Sequence, residues 1–73
     1  MSLRQNLAAN IKRIRAERKW SQDKFAGEVD VHRTYVNDLE QSKRSPTIDV
    51  IEKMMTALDV SVTDLLGEPP KKP

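Results

Sequence analysis

The chain has 73 residues, enough for one small domain, and no Cys, which excludes a disulfide framework and a thiolate metal site. No apolar run approaches the length of a membrane span and no signal-peptide segment opens the chain, so we expect a cytoplasmic protein without a membrane partner. The net charge is only +2, but residues 1–44 hold ten Lys/Arg and six Asp/Glu, a net charge of +4, which fits a nucleic-acid binder and a solvated helix face equally well.

Apolar spacing predicts the first helix. Its apolar residues recur at steps of four, four and three, and they are Leu3, Leu7, Ile11 and Ile14. Such a stripe is typical of one face of a helix, here over residues 3–18. Ser21 is a suitable N-cap for a second helix over 22–28.

Small and apolar residues from 25 to 39 indicate a sharp corner between two short helices. Ala26 lies where the helices would cross most closely, so a larger side chain would push them apart. Residues 29–31 form the predicted corner, and a third helix follows over 33–40. Its outward face carries side chains that suit the hydrogen-bonding edges of DNA bases. They are His32, Arg33, Thr34, Asn37 and Asp38.

A loop and a fourth helix come next. Pro46 discourages continuation of the third helix, so residues 43–46 are predicted to form a loop. Thr47 can cap a fourth helix over 48–58. The inner face of that helix would carry Ile48, Ile51, Met54, Met55 and Leu58.

The chain closes with a short helix and a polar tail. Ser61 and Asp64 resemble a capping box that opens a fifth helix ending near Gly67. Residues 68–73 have no apolar residue beyond proline, and we expect them to be disordered. The sequence therefore predicts one all-α domain of five helices over residues 1–67.

Two charged residues interrupt the apolar pattern. Arg15 follows Ile11 by four residues and Glu40 follows Val36 by four, so both lean towards the core. Either charge alone would be costly to bury, whereas a guanidinium and a carboxylate can form a bidentate pair. We predict an Arg15–Glu40 bridge between the first and third helices; the alternative is that both side chains reach out to water.

Three segments carry a resemblance to a known family. SQDKFAGEVDV, RTYVNDLE and DVIEKMMTALDVSVTDLL, in this order, resemble the lambda repressor and Cro family of helix-turn-helix proteins, which includes the controller proteins of restriction-modification systems. The resemblance covers about residues 5 to 66. It implies a five-helix DNA-binding domain with the helix-turn-helix at the second and third helices, and an Arg–Glu pair at the positions of Arg15 and Glu40. The third helix would read a palindromic operator in the major groove of duplex DNA.

The resemblance also assigns roles to single residues. Ser21 and Gln22 open the second helix where family members touch phosphate, and free N–H groups at a helix N-terminus attract anions. Arg33, Thr34 and Asn37 occupy the base-reading positions, where Arg suits guanine, Asn suits adenine and the Thr methyl group suits thymine.

Flanking residues complete the predicted DNA-binding surface. Tyr35 would reach a sugar or phosphate, or else serve as a half-buried packing residue. Lys43 and Arg44 would meet the DNA backbone or minor groove; simple solvation is the alternative. His32 stands where the family usually has a better capping residue, so its ring is expected to face a phosphate or base edge. The family also favours Gly at the positions of Asp30 and Ser42.

One recognition helix covers too few base pairs to specify a site in a genome, so we expect a homodimer. The candidate interface consists of apolar residues in the C-terminal region, which are Val60, Val62, Leu65 and Leu66. The alternative is that the core takes all four.

Other functions fit the sequence less well. It has no thiol nucleophile, no Gly-rich phosphate loop and no His pair, so we expect no enzyme, no metal and no cofactor. The main alternative is an antitoxin-type module that neutralises a partner protein, since such proteins share the five-helix domain. A domain that kept the fold but lost DNA reading would not need Arg33, Thr34 and Asn37 beside Lys43 and Arg44.

Overall fold

Five helices make up the fold in a computed structural model, which describes residues 2–70. They are α1 (Leu3–Arg18), α2 (Gln22–Val29), α3 (Arg33–Glu40), α4 (Ile48–Leu58) and α5 (Val62–Leu66). The all-α prediction is confirmed, and α2 runs one residue further than predicted. No helix in the described part of the chain is long and apolar enough to cross a membrane. Residues 71–73 of the predicted disordered tail lie outside the described residues.

Side-chain caps begin four of the five helices. The hydroxyls of Ser2, Ser21, Thr47 and Ser61 each accept a hydrogen bond from the backbone N–H three residues later. At Ser61 the capping box is complete, because Asp64 accepts from the Ser61 backbone N–H at 2.9 Å. Each such cap satisfies a donor that the helix itself leaves unpaired, which explains why these helices begin where they do.

The core lies between α1, α2, α4 and the inner side of α3, with Leu65 of α5 closing it. Its central apolar residues are Leu7, Ile11, Ile14, Phe25, Ala26, Val29, Val36, Leu39, Ile51, Met54, Leu58 and Leu65. Two asparagines of α1 hold α5 in place. Asn6 donates to the Leu66 carbonyl at 3.0 Å, and Asn10 donates to the Leu65 and Gly67 carbonyls at 2.8 Å each. The C-terminal carbonyls of α5 thus find donors inside the domain.

Two apolar residues predicted to face inward are exposed, and one candidate interface residue is buried. Leu3 and Ile48 are exposed, Ile48 to 79%, and each is the first residue of its helix. Leu65, predicted at the dimer interface, is fully buried in the core of the monomer. Leu65 is the one residue of the five-residue helix α5 that is buried, so α5 closes over the core through this side chain.

Candidate nucleic-acid interface

The corner between α2 and α3 depends on two local features. Asp30 adopts the left-handed backbone conformation with φ of 60°, which allows the chain to leave α2 and turn at once. The Val31 N–H then donates to the Ala26 carbonyl at 2.9 Å. Ala26 is buried beneath α3. The corner therefore holds the two helices in one relative orientation.

A buried ion pair fixes α3 against α1. Glu40 accepts hydrogen bonds from Arg15 through both carboxylate oxygens, at 2.5 Å from Nε and 3.0 Å from Nη2. Arg15 also donates from Nη1 to the Trp20 carbonyl at 3.0 Å. The Glu40 hydrogen bond raises the pKa of Arg15 against the opposing effect of burial, so this guanidinium keeps its charge. Both predicted partners are thus brought together in the structure.

The ion pair continues into the exposed face through Gln22. The Gln22 amide donates to Glu40 Oε1 at 3.2 Å and to Asn37 Oδ1 at 3.3 Å. Gln41 donates to the same Asn37 oxygen at 3.1 Å. To pair with adenine through both groups of its amide, Asn37 must exchange one of these donors for the adenine amino group. Gln22 therefore links α1, α2 and α3 instead of projecting freely.

The N-terminal end of α3 is the most exposed part of this face. His32, Arg33 and Thr34 are all exposed, and among the described residues the His32 ring makes no capping hydrogen bond to α3. Arg33 Nε lies 3.2 Å from Asp23 Oδ1, so an ion pair spans α2 and α3 at the surface. At the start of α2, Ser21 caps the helix by accepting from the Lys24 N–H at 3.0 Å.

The C-terminal end of the face groups two side chains, Tyr35 and Asp38, around Arg44. Its guanidinium lies 5.1 Å from the centre of the Tyr35 ring, and its Nη2 lies 3.4 Å from Asp38 Oδ2. Burial raises the pKa of Tyr35 although nearby Arg44 lowers it, so the hydroxyl stays protonated and can donate to a phosphate. Lys43 is exposed beside this group.

Three polar residues of this face were not assigned a role from the sequence. Gln41 donates a hydrogen bond to Asn37, whereas Asp23 and Asp38 form salt bridges with Arg33 and Arg44. The sequence places Asp38 among the outward side chains that suit base edges, but assigns it no role of its own. Complementary charges in the sequence could have indicated the two ion pairs. Which side chains meet across the corner, however, depends on the angle between α2 and α3.

Known proteins are similar to this chain in sequence and fold. The family model HTH_3, helix-turn-helix, matches residues 11–65. Control protein C.BamHI of Bacillus amyloliquefaciens is 50% identical over 46 residues, which are 63% of this chain and 57% of that protein. The crystal structure of the hypothetical transcription factor NHTF from Neisseria is 37% identical with a TM-score of 0.84, over 92% of this chain and 77% of that one.

A further solved structure is the restriction-modification controller protein C.Esp1396I, a tetramer in complex with its natural 35 base-pair operator. It is 34% identical with a TM-score of 0.72, over 81% of this chain and 78% of that one. The chain spans only 57% and 66% of the length of the first two curated relatives that it matches.

Proposed function

This chain belongs to the helix-turn-helix family HTH_3, and we propose on that premise that it is a transcriptional regulator that binds duplex DNA sequence-specifically. The observation that carries the proposal is the outward face of α3, which presents Arg33, Thr34 and Asn37 on a helix fixed from behind by a buried ion pair. Base reading requires side-chain donors and acceptors held in fixed positions, and the ion pair behind α3 fixes the helix that carries them.

Docking follows from the shape of the corner. We place α3 in the major groove, with its N-terminal residues Arg33 and Thr34 towards the base edges. The backbone N–H groups at the start of α2, near Ser21 and Gln22, would then meet a phosphate, because a helix N-terminus favours anions. Lys43 and Arg44 would meet the DNA backbone beside the other end of α3.

Two copies are needed to specify a site, and we propose a symmetric homodimer. Since Leu65 belongs to the core, the exposed Val62 and the half-buried Val60 and Leu66 remain from the predicted interface. Leu66 also lines a groove of about 460 Å³ beside Leu3, Leu7, Ile48 and Ile51. This apolar surface is the proposed contact, with the two recognition helices about 34 Å apart on the DNA.

The antitoxin alternative is not favoured. The similar proteins are described as control proteins, an immunity repressor and transcriptional regulators. A pull-down from lysate that recovers one stoichiometric protein partner, together with no retardation of genomic DNA fragments, would favour the antitoxin function over sequence-specific DNA binding.

Selection of bound duplexes from a random DNA pool tests the proposal directly. We expect a palindromic sequence with half-sites about 10 base pairs apart. Affinity for it should fall roughly a thousandfold or more between about 50 and 200 mM salt, because several phosphate contacts release counterions. Failure to enrich any sequence, or an affinity that does not respond to salt, would contradict the proposed function.

Two substitutions separate base reading from phosphate binding. Arg33→Ala should abolish the preference at one base pair of each half-site, a loss of about 1–3 kcal/mol for the cognate base. Lys43→Ala should weaken binding to every sequence alike. If both variants select the wild-type sequence with unchanged preferences, Arg33 is not a base reader.

A further inference from the structure

The ion pair between Arg33 and Asp23 is poorly explained by stability. Both side chains are largely exposed, to 58% and 78%, and Nε lies 3.2 Å from Oδ1. Exposed pairs of this kind contribute about 0–1 kcal/mol, since water solvates both charges and two side chains lose freedom. The pair nevertheless joins α2 to α3 at the end of the face that is proposed to read bases.

The contact with Asp23 leaves the two terminal nitrogens of the Arg33 guanidinium available to bind a base. Asp23 approaches the guanidinium at Nε. Within residues 2–70, the terminal nitrogens Nη1 and Nη2 have no hydrogen-bond partner among the protein side chains and carbonyls. These two nitrogens form the end of the guanidinium fork, which matches the O6 and N7 acceptors of guanine. The Asp23 carboxylate beside Nε can therefore orient the guanidinium so that Nη1 and Nη2 point towards a base.

Asp23 also opposes capture of Arg33 by phosphate. It lies in the first turn of α2, at the helix end where a DNA phosphate is expected. Phosphate contacts dominate binding to random DNA and carry no sequence information. A fixed negative charge at this place makes a phosphate a poorer partner for Arg33, whereas the neutral base edge is not repelled.

The other arginine of the face has an equivalent partner. Arg44 Nη2 lies 3.4 Å from Asp38 Oδ2, and its guanidinium also stacks on Tyr35 at 5.1 Å. Lys43, predicted like Arg44 to meet the DNA backbone or minor groove, has no salt bridge among the described residues. Carboxylates thus accompany the two arginines of this surface, whose planar guanidinium a carboxylate can orient, and not its lysine.

We propose that Asp23 is a specificity-determining residue that positions the Arg33 guanidinium for a guanine and keeps it from DNA phosphates. The inference rests on the proposed DNA-binding function. Asp23 itself would not touch the base; it would act through Arg33. Its removal should therefore raise affinity for random DNA while lowering discrimination at the base pair that Arg33 reads.

The test compares Asp23→Asn with Asp49→Asn. Asp49 is a matched control, because it occupies in α4 the same position after the cap that Asp23 occupies in α2, is exposed, and has no salt bridge in the described structure. Each variant, and Asp23→Asn combined with Arg33→Ala, is taken through selection from a random DNA pool. Affinity is then measured for the duplex that the wild-type protein selects and for a scrambled duplex of equal composition.

We expect Asp23→Asn to bind the scrambled duplex several-fold more tightly and to lose roughly tenfold of its discrimination at one base pair per half-site, within the range for a bidentate contact. That base pair should be the one affected by Arg33→Ala, and the double variant should lose no more discrimination than Arg33→Ala alone. Asp23→Glu should restore part of the preference. Asp49→Asn should retain the wild-type preferences.

Two results distinguish failure of this inference from failure of the proposed function. If the wild-type protein selects a sequence and Asp23→Asn retains the same preferences, as Asp49→Asn does, Asp23 has no positioning role and the inference is overturned. If the wild-type protein selects no sequence, the proposed function fails and the inference fails with it. Thermal unfolding of Asp23→Asn should match that of Asp49→Asn, since each removes one first-turn carboxylate and the ion pair with Arg33 is exposed.

Discussion

Replacing Glu40 by Ala removes the acceptor of three hydrogen bonds at the junction of α1, α2 and α3. The Glu40 side chain is 5% exposed and its carboxylate binds Arg15 twice and Gln22 once. Breaking a fully buried pair costs about 3–5 kcal/mol, because it leaves an unpaired charge. The Arg15 side chain is 22% exposed and keeps its bond to the Trp20 carbonyl, so water can replace part of the loss. We therefore expect a cost of about 2–4 kcal/mol.

Thermal unfolding followed by circular dichroism measures this cost. For a domain of this size each kcal/mol lowers the melting temperature by roughly 4–8 °C, so the fall should be at least about 8 °C. Glu17→Ala is the matched control: it breaks a 3.3 Å salt bridge between Arg13 and the largely exposed Glu17, which should cost about 0.5 kcal/mol or less. Equal falls for the two variants would refute the argument from burial. Replacing Arg15 and Glu40 together by apolar residues of similar size should recover much of the loss.

Three further predictions concern other parts of the chain. Hydrogen bonds from the Ser61 backbone N–H and hydroxyl lower the pKa of Asp64. The stability that Asp64 contributes should therefore be complete above the ordinary carboxyl pKa and lost as pH falls through the lowered pKa. The melting temperatures of wild type and Asp64→Asn should converge only in acid. Asp30→Gly should increase the free energy of unfolding by about 0.5 kcal/mol and so raise the urea midpoint, because glycine adopts a φ of 60° without a steric cost. A lower midpoint would show that the Asp side chain stabilises the corner. Val62→Glu should dissociate the proposed dimer in sedimentation without lowering the melting temperature, whereas Leu65→Glu should unfold the domain; a Leu65→Glu protein that stays folded would contradict the core assignment.

Most helix boundaries could be predicted from the sequence because local chemistry determines them. Ser21, Thr47 and Ser61 cap the helices that follow them, and the apolar stripe of α1 repeats at helical spacing. The corner was predictable too, since small and apolar residues surround Asp30, a residue type that tolerates the left-handed conformation. These features act over three or four residues, which is the distance over which sequence patterns are reliable.

Burial at helix ends could not be predicted in the same way. The periodicity of an apolar stripe indicates which face of a helix points inward, but it does not tell whether another element covers the first turn. Leu3 and Ile48 are both on the predicted faces and both exposed, because each begins its helix. Leu65 shows the converse: a helix too short for a periodic stripe inserts one leucine near its C-terminal end into the core.

The polar contacts of the recognition face were partly predictable. The bridge between Arg15 and Glu40 followed from two charges on apolar faces, since burial leaves such charges few partners. Exposed pairs carry no such constraint. Asp23 could have met water, Lys24 or Arg33, and only the angle between α2 and α3 decides among them.

The connection from the buried pair to the reading face has a consequence for function. Gln22 donates both to the buried Glu40 and to the half-buried Asn37, so one amide serves the support of α3 and a proposed base-reading residue at once. Loss of the Glu40 carboxylate would free Gln22 and alter the hydrogen bonding of Asn37 without touching it. Affinity and stability are therefore coupled at this position. A substitution at Glu40 should weaken discrimination at the Asn37 base pair even at temperatures where the variant remains folded, whereas a change in core packing at Leu58 should not.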